Sequence, residues 1–388
     1  MSQLEDLQAV SELVRAGLAT TRREIGKALS LRSTTVSELV GNLVSSDILR
    51  ENTTPPRGRG RPATSLSFNH LRLAGIVIGV IDRTLVANAV DLTYRVIGKQ
   101  SITPPPDADN KEMADCIRKL VLATVEQLPQ GIELSTITLS ISGLLDKPNS
   151  LWCFTSRWPK LKNLNLKEAL SDQPCSIDII RNLDAELSGI QINEKHAKNE
   201  NSLLLHWGEG IGASYSADGV IVNKSRGRFC EIGHWSLGNA QGKPCTCGNH
   251  DCLETVAALW AIGEELKKTF PSLALNENDV ADQLSKVDPM QSPVLTEGLK
   301  QVLRVTTNLC KLFFPDRVIL TGPFVQNPLI FSKFVMAFES ASLLDNQERI
   351  RVSVNSASMQ DEIIGALHQP LESGLQRLVE SSLQHEHH

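Results

Sequence analysis

No apolar run in this chain approaches the length that a bilayer crossing needs, so an integral membrane protein is not expected. The opening residues, MSQLEDLQAV, lack the basic start and apolar core of a secretory signal. Nothing points to an oxidising compartment, and the expectation is a cytoplasmic protein whose eight cysteines stay reduced. No repeat of roughly 20–50 residues recurs, which argues against a solenoid. A large charge excess is missing too: net charge is −5 over 388 residues, so the chain as a whole is not a nucleic-acid binder by composition. What is there is the profile of a soluble globular protein, 41% apolar and 21% charged, long enough for two or three domains. Charge is uneven, however. Residues 1–62 hold nine Lys or Arg against seven Asp or Glu, a net of +2 that leaves −7 for the remainder and hints at a basic module in front.

Three of the cysteines, Cys245, Cys247 and Cys252, fall within eight residues, and His234 lies eleven residues before the first. Zinc favours four soft or borderline ligands at tetrahedral geometry, and three thiolates with one imidazole are a common structural set. The Cys-x-Cys pair, the turn at Gly248 and the returning Cys252 form a knuckle that supplies three thiolates, with His234 reaching in from the preceding segment. A disulfide across Cys-x-Cys would be strained. His250 is a rival fourth ligand, but its place inside the knuckle would crowd the turn, which favours His234.

At the N-terminus, Leu4, Leu7, Val10, Leu13 and Val14 share one helical face, and Gly17 ends that helix. Thr21 and Glu24 read as a capping box opening a second helix. After a short turn, Ser33 caps a third helix whose Val36, Val40 and Leu43 face inward, leaving Thr34, Thr35, Ser37 and Asn42 outward. Helix, tight turn, and a helix with a small polar face is the helix-turn-helix layout, whose second helix enters the major groove of double-stranded DNA. Residues 46–68 read as a wing: Ile48 and Leu49 begin one strand, Leu66 and Phe68 sit on its partner, and PPRGRGRPAT lies between. Arg57, Arg59 and Arg61 alternate there with glycine, a set suited to a narrow minor groove, although solvated linkers also look this way.

From Leu73 the pattern turns to strands: AGIVIGVI, TLVANAVDL and YRVIGKQSI, then a helix near Lys111–Leu128, the strand STITLSIS, a helix around Leu164–Leu170 and the strand SIDII. A second set runs from LLLHWGEGIGASYSADGVIVN through helices at 253–268 and 292–313, the strands RVIL and RIRVSVN, and a helix at 361–380.

The stretch Glu-Ile-Gly-His (231–234), with Cys-x-Cys-Gly and Cys-Leu-Glu (252–254), resembles the signature of the ROK family of repressors, open reading frames and sugar kinases, with Asp251 in place of a usual glycine. Residues 21–62, including the Gly-Arg-Pro stretch, resemble the winged part of ROK repressors. The resemblance implies an α/β protein: a winged helix-turn-helix over residues 1–70, then a two-lobed actin-like (ribonuclease-H-like) domain over 71–388. Lobe one would cover about 71–195, and lobe two about 200–388, with the zinc knuckle at 234–252. It also implies that Glu231, His234 and Glu254 contact sugar hydroxyls, with Asn182 beside them and Ser142 and Gly143 on the first-lobe loop.

Kinase chemistry needs backbone amides for the nucleotide phosphates and a carboxylate base for the attacking hydroxyl. The family's first phosphate loop resembles Asp-x-Gly-Gly-Thr, and here it reads Val77–Ile81 without the Asp or Thr. Its Asn-Asp base pair becomes Asn182-Leu183, with Asp184 one position out of register. Gly208, Gly210 and Gly212 keep the outline of a second phosphate loop, though a strand turn needing positive φ explains such glycines equally. The expected function is therefore a DNA-binding regulator that represses sugar uptake or catabolism genes, senses a sugar or sugar derivative, and acts as a homodimer or homotetramer, with no kinase activity. An active sugar kinase with an appended regulatory domain is the alternative, and a protein partner docking on the zinc knuckle a third reading.

Overall fold

The computed structural model describes residues 2–54, 63–194, 199–238, 243–341, 349–355 and 358–383. Three helices open the chain: α1 (Gln3–Arg15), α2 (Arg22–Leu29) and α3 (Ser33–Ser45). Capping boxes start the first two, Ser2 with Glu5 and Thr21 with Glu24, each answering two of the backbone N–H groups left over at a helix start. Leu7, Val10, Ile25, Val36, Leu39, Val40 and Leu43 form the bundle's interior. Strand β1 (Leu49–Thr54) pairs antiparallel with β2 (Ala63–Phe68), Leu49 opposite Phe68, to make the hairpin of a winged arrangement. Two expectations are corrected. The α3 cap is Arg32, which makes no side-chain bond, while Ser33 is already helical and its carbonyl accepts from the Ser37 hydroxyl (2.9 Å). Asn42 is buried rather than outward, because it sits three positions after the core residue Leu39 on the same flank. Arg57, Arg59 and Arg61 lie outside the described residues.

Two five-stranded sheets follow, with one topology used twice. In the first, β3 (Leu73–Ile81), β4 (Thr84–Val90) and β5 (Val96–Ile102) form an antiparallel meander, and β6 (Glu133–Ile141) and β10 (Ser176–Arg181) add in parallel on the far side of β3. In the second, β11 (Ser202–Trp207), β12 (Ile211–Ala217) and β13 (Val220–Ile221) form the meander, and β14 (Arg317–Thr321) and β15 (Arg351–Val354) the parallel pair. Each sheet thus runs third, second, first, fourth, fifth strand in order of appearance, the duplicated layout expected of two actin-like lobes. A small sheet of β7 (Leu144–Asp146), β8 (Leu151–Phe154) and β9 (Leu164–Asn165) stands beside the first lobe. Where one helix was expected at 164–170, β9 and the four-residue α5 (Leu166–Ala169) divide the segment, Asn165 capping the short helix.

The helices α4 (Asn110–Val125), α6 (Asn182–Asn193), α7 (Glu254–Ala257), α8 (Leu259–Thr269), α9 (Glu277–Leu284), α10 (Pro293–Phe313), α11 (Pro328–Glu339) and α12 (Gln360–Ser381) cover the sheets. The last of them corrects the sequence-based division of the chain: α12, expected in the second lobe, packs on α6 and on β3 and β6 of the first. Gly75, in the middle of β3, admits Leu367 and Leu371 of α12 at 3.1–3.2 Å from where a Cβ would stand. The crossing of α12 with α6 is closer still. A Cβ on Gly365 would fall 1.9 Å from the Ala185 carbonyl oxygen, and one on Gly189 would fall 1.8 Å from that of Asp361.

Farther along, α12 reaches the N-terminal module. Leu7, Val10 and Val14 of α1 belong to the same buried cluster as Leu371, Leu375 and Val379, and the Arg15 guanidinium forks onto the Glu372 carboxylate at 2.6 and 2.8 Å.

Because the Gly365 contact is with backbone, it has no side chain to move aside. Gly365→Ala is expected to cost about 2 kcal/mol, the scale of overpacking a filled core, seen as a lower urea midpoint. Gly41→Ala, on an exposed face of α3 with open space around it, should leave the midpoint unchanged or raise it; equal effects at both sites would refute the close crossing.

Candidate functional site

Between the lobes lies a cavity of about 540 Å³ whose walls come from both sheets. The metal-ligand candidates stand at one edge. His234 ends a short 3-10 turn (Ile232–His234), and the knuckle folds back on it through a lone β-bridge between Ser236 and Cys252. The ligand atoms of His234, Cys245, Cys247 and Cys252 all lie within 4.8 Å of one another. Cys245 Sγ is 3.4 Å from His234 Nδ1, and Cys247 Sγ is 3.5 Å from Cys252 Sγ. Bonds of about 2.3 Å at tetrahedral angles would place sulfurs roughly 3.7 Å apart, so the set fits a metal of zinc's size and coordination. Burial pushes the Cys245 and Cys252 thiols up, whereas at Cys247 burial is outweighed by the Asn249 amide and the two neighbouring thiols, which hold that thiol down. Gly248 turns the knuckle at φ +95°, and Asn249 returns a carbonyl to the Cys245 amide (2.7 Å). His250 is exposed and stands outside the cluster. Asp251, which replaces a glycine of the family pattern, bonds Ser236 and accepts from the Gly238 amide (3.2 Å), so its carboxylate closes the loop on the knuckle's open side.

Asn182, Glu231, His234 and Glu254 all line the cavity, together with Ser142 and Gly143. Asn182 is the first residue of α6, placed by the end of β10. Arg181, the residue before it, is buried and ties the lobes: it donates to the Ala213 carbonyl (3.1 Å) and lies 3.4 Å from Asp184 and 3.6 Å from Glu231. Glu231 is exposed, its carboxylate open to the cavity. Glu254 is buried and already engaged, accepting from the Ile211 amide (2.9 Å) and the Trp260 indole (3.2 Å). Gly143 has φ +96°, and a Cβ there would strike the Phe154 carbonyl at 2.2 Å, so this lip of the cavity requires glycine.

The kinase-like positions differ. Leu183, at the position the resemblance gives to the base, lines the cavity. Asp184 points away, buried, accepting from the Ser214 hydroxyl (2.7 Å), with burial pushing its carboxyl up against the pull of Arg181. Gly208, Gly210 and Gly212 do not have positive φ; they are needed for close approach. A Cβ on Gly208 would lie 2.2 Å from the Glu277 carboxylate, one on Gly210 2.9 Å from that of Glu254, and one on Gly212 2.9 Å from Leu183.

Sequence reasoning missed the carboxylates on the far wall: Glu186, Glu277 and Glu362. They come from three separate helices, and no local spacing joins them. Glu277 accepts from the Glu209 amide (2.6 Å) and pairs with His206 (3.1 Å). Burial alone would raise Glu277; the hydrogen bond and charge of His206 outweigh it and hold the carboxyl at about 2. Burial raises Glu186, partly offset by Asn355, and lifts Glu362 to about 8 despite the Ser140 hydroxyl at 2.6 Å.

The ROK family model matches residues 74–368. The DNA-binding transcriptional dual regulator NagC of Escherichia coli is 22% identical over 333 residues, covering 82% of this chain and 80% of NagC. A solved ROK family transcriptional regulator, a homolog of the E. coli Mlc protein, superposes with a TM-score of 0.71 at 20% identity, over 97% of this chain and 99% of that one. A ROK family glucokinase from Streptomyces griseus, solved with glucose and AMPPNP, superposes with a TM-score of 0.61 at 16% identity, over 77% of this chain and 99% of the kinase.

Because the Glu362 carboxyl sits near 8 in the folded chain against an ordinary value of 4.5, the unfolded chain releases its proton first as pH rises. Stability contributed by the protonated form is full below about 4.5 and declines through the window up to about 8. Glu362→Gln should therefore match the wild type near pH 4 and exceed its thermal midpoint progressively toward pH 8. Parallel midpoint curves would show that this carboxyl is ionised throughout.

Proposed function

Since this chain belongs to the ROK family, we propose that it is a DNA-binding transcriptional regulator, a repressor of sugar uptake or catabolism genes, whose cleft senses a sugar or sugar derivative without phosphorylating it. The observation that carries this reading is the union, in one chain, of a three-helix and hairpin module with a cleft lined by Asn182, Glu231, His234 and Glu254 and, at the position the resemblance gives to the base, by Leu183. The similarity to NagC and to the Mlc homolog supports it.

In this reading α3 enters the major groove. Ser33, Thr34 and Ser37 are exposed at its N-terminal end and Thr35 is half-buried beside them, the part of a recognition helix that meets base edges. Arg57, Arg59 and Arg61, which lie outside the described residues, are the cations proposed for the minor groove. Two copies set half-site spacing, so a homodimer or homotetramer is the acting form.

At the cleft, Asn182, Glu231 and His234 bond sugar hydroxyls, and Glu254 positions the Gly210–Gly212 turn beneath them. Zinc held by His234, Cys245, Cys247 and Cys252 would supply the positive charge that keeps three thiolates ionised, and so fix the turn that presents Glu231 and His234. Phosphoryl transfer is absent: Leu183 cannot take a proton, and Asp184 is committed to Ser214. The signal travels along α12, whose Glu362 lines the cavity and whose Glu372 holds Arg15 of α1. A ligand that favours one setting of the lobes then biases the presentation of the reading helices.

Replacing Arg57, Arg59 and Arg61 with alanine should weaken duplex binding at least tenfold in a shift assay near 0.1 M salt and reduce the slope of log affinity against log salt by about two to three, roughly one per lost phosphate contact. Wild-type protein that binds no duplex from a random pool, or that releases ADP with any hexose, would end the reading. Elemental analysis should find about one zinc per chain, and Cys252→Ser should remove it and lower the thermal midpoint; metal-free wild type of equal stability would contradict the structural role.

A further inference from the structure

The glycine loop of the second lobe already holds an anion, and the chain provides it. The Glu209 amide, on a glycine-rich turn of the kind that can cradle phosphate oxygens, donates to the Glu277 carboxylate at 2.6 Å. His206 fixes the same oxygen at 3.1 Å, and Gly208 leaves room for it at a distance no Cβ would permit. Glu277 is also held from the other lobe, for its own amide donates to Asp82 Oδ1 (2.9 Å), just beyond β3. From these contacts, and resting on the sugar-sensing reading above, we infer that Glu277 is a built-in substitute for phosphate, and that it restricts the cleft to uncharged, unphosphorylated sugars.

The charge around the cavity agrees. The wall beyond the sugar-facing residues carries Glu186, Glu277 and Glu362. Among the described residues, most basic side chains lining the cavity are engaged: Arg181 with Asp184 and the Ala213 carbonyl, His206 with Glu277, His234 with Cys245, and Lys162 against the Phe154 ring at 4.2 Å. Arg157 remains, donating to Ser142 (2.8 Å), with its Nε lacking a partner among the described residues. With Glu277 ionised, and with Glu362 a neutral acid that brings no counterion of its own, one guanidinium gives a phosphorylated ligand little net attraction. A neutral sugar meets no such penalty, because its hydroxyls donate to carboxylates as readily as they accept from amides.

The test uses full-length protein and titration calorimetry with glucose, N-acetylglucosamine, their 6-phosphates and inorganic tripolyphosphate. Whichever free sugar binds the wild type, its 6-phosphate should bind at least tenfold more weakly, and tripolyphosphate should not bind detectably. Glu277→Ala, which vacates the Glu209 amide, should narrow the ratio between free and phosphorylated sugar at least fivefold and admit tripolyphosphate. Should that variant fail to fold, Glu277→Gln keeps the acceptor but drops the charge, and should move both readouts in the same direction. A wild type that prefers the 6-phosphate, or variants that leave the ratio and tripolyphosphate binding unmoved, would overturn the inference. If no sugar binds the wild type, the sugar-sensing reading and this ligand class fall together, whereas the tripolyphosphate comparison still decides whether Glu277 blocks the loop.

Discussion

The crossing of α6 over α12 is the constraint from which the rest of the molecule hangs. With Gly189 and Gly365 facing each other's backbones, the two helices meet at carbonyl distance, and neither can slide without collision. Helix α6 starts at the cleft with Asn182 and Leu183, while α12 starts at the same cleft with Glu362. Their mutual position therefore sets which side chains the cavity presents. Over its 22 residues α12 runs roughly 33 Å, from that cavity to the core shared with α1. Interiors packed at this density respond to strain by shifting between discrete arrangements rather than by gradual deformation. A helix locked at one end to the cleft wall and at the other to the N-terminal module is the element such a shift would move.

Much of this was legible locally. The strands of both sheets announce themselves as apolar runs bounded by turn residues, and the capping box of α2 gives a helix start to the residue. The four metal-ligand candidates come from 19 consecutive positions, so their spacing could be weighed without a fold. What stayed hidden depends on distance along the chain. Helix α6 has no amphipathic period, because buried residues lie on most of its faces, and the return of α12 to β3 of the first lobe is a contact across nearly 300 residues that no window can contain. Asn42 and Ser33 were misread for a smaller reason: a helical face is about 100° wide, and residues at its margin go inward or cap only as neighbours allow.

The glycines at 208, 210 and 212 show how a correct motif can carry a wrong cause. A Gly-x-Gly-x-Gly run suggests either an anion cradle or left-handed backbone, and the loop uses neither property in the expected way. Its backbone has ordinary φ, and the space that glycine leaves is filled by the chain's own carboxylates, Glu277 against Gly208 and Glu254 against Gly210. Both carboxylates accept backbone amides of the loop, from Glu209 and Ile211. The hydrogen-bond demand of such a turn is thus met from within, and the loop is complete without a nucleotide.

That internal satisfaction has an energetic consequence for the whole cleft. A buried carboxylate persists only if something holds its charge, and here the holders are specific: His206 and the Glu209 amide for Glu277, Arg181 for Asp184. Glu362 has only the Ser140 hydroxyl and keeps its proton instead. The cleft wall is thus a mixture of fixed negative charge and a neutral acid, arranged by helices from both lobes. Polyphosphate entering such a wall would have to displace Glu277 from its amide and face Glu362 and Glu186 as well, whereas a polyol asks for nothing to be displaced. The carboxylates and amides of this surface suit recognition by hydrogen bonds, and a ligand so held would bear on the balance between settings of the lobes.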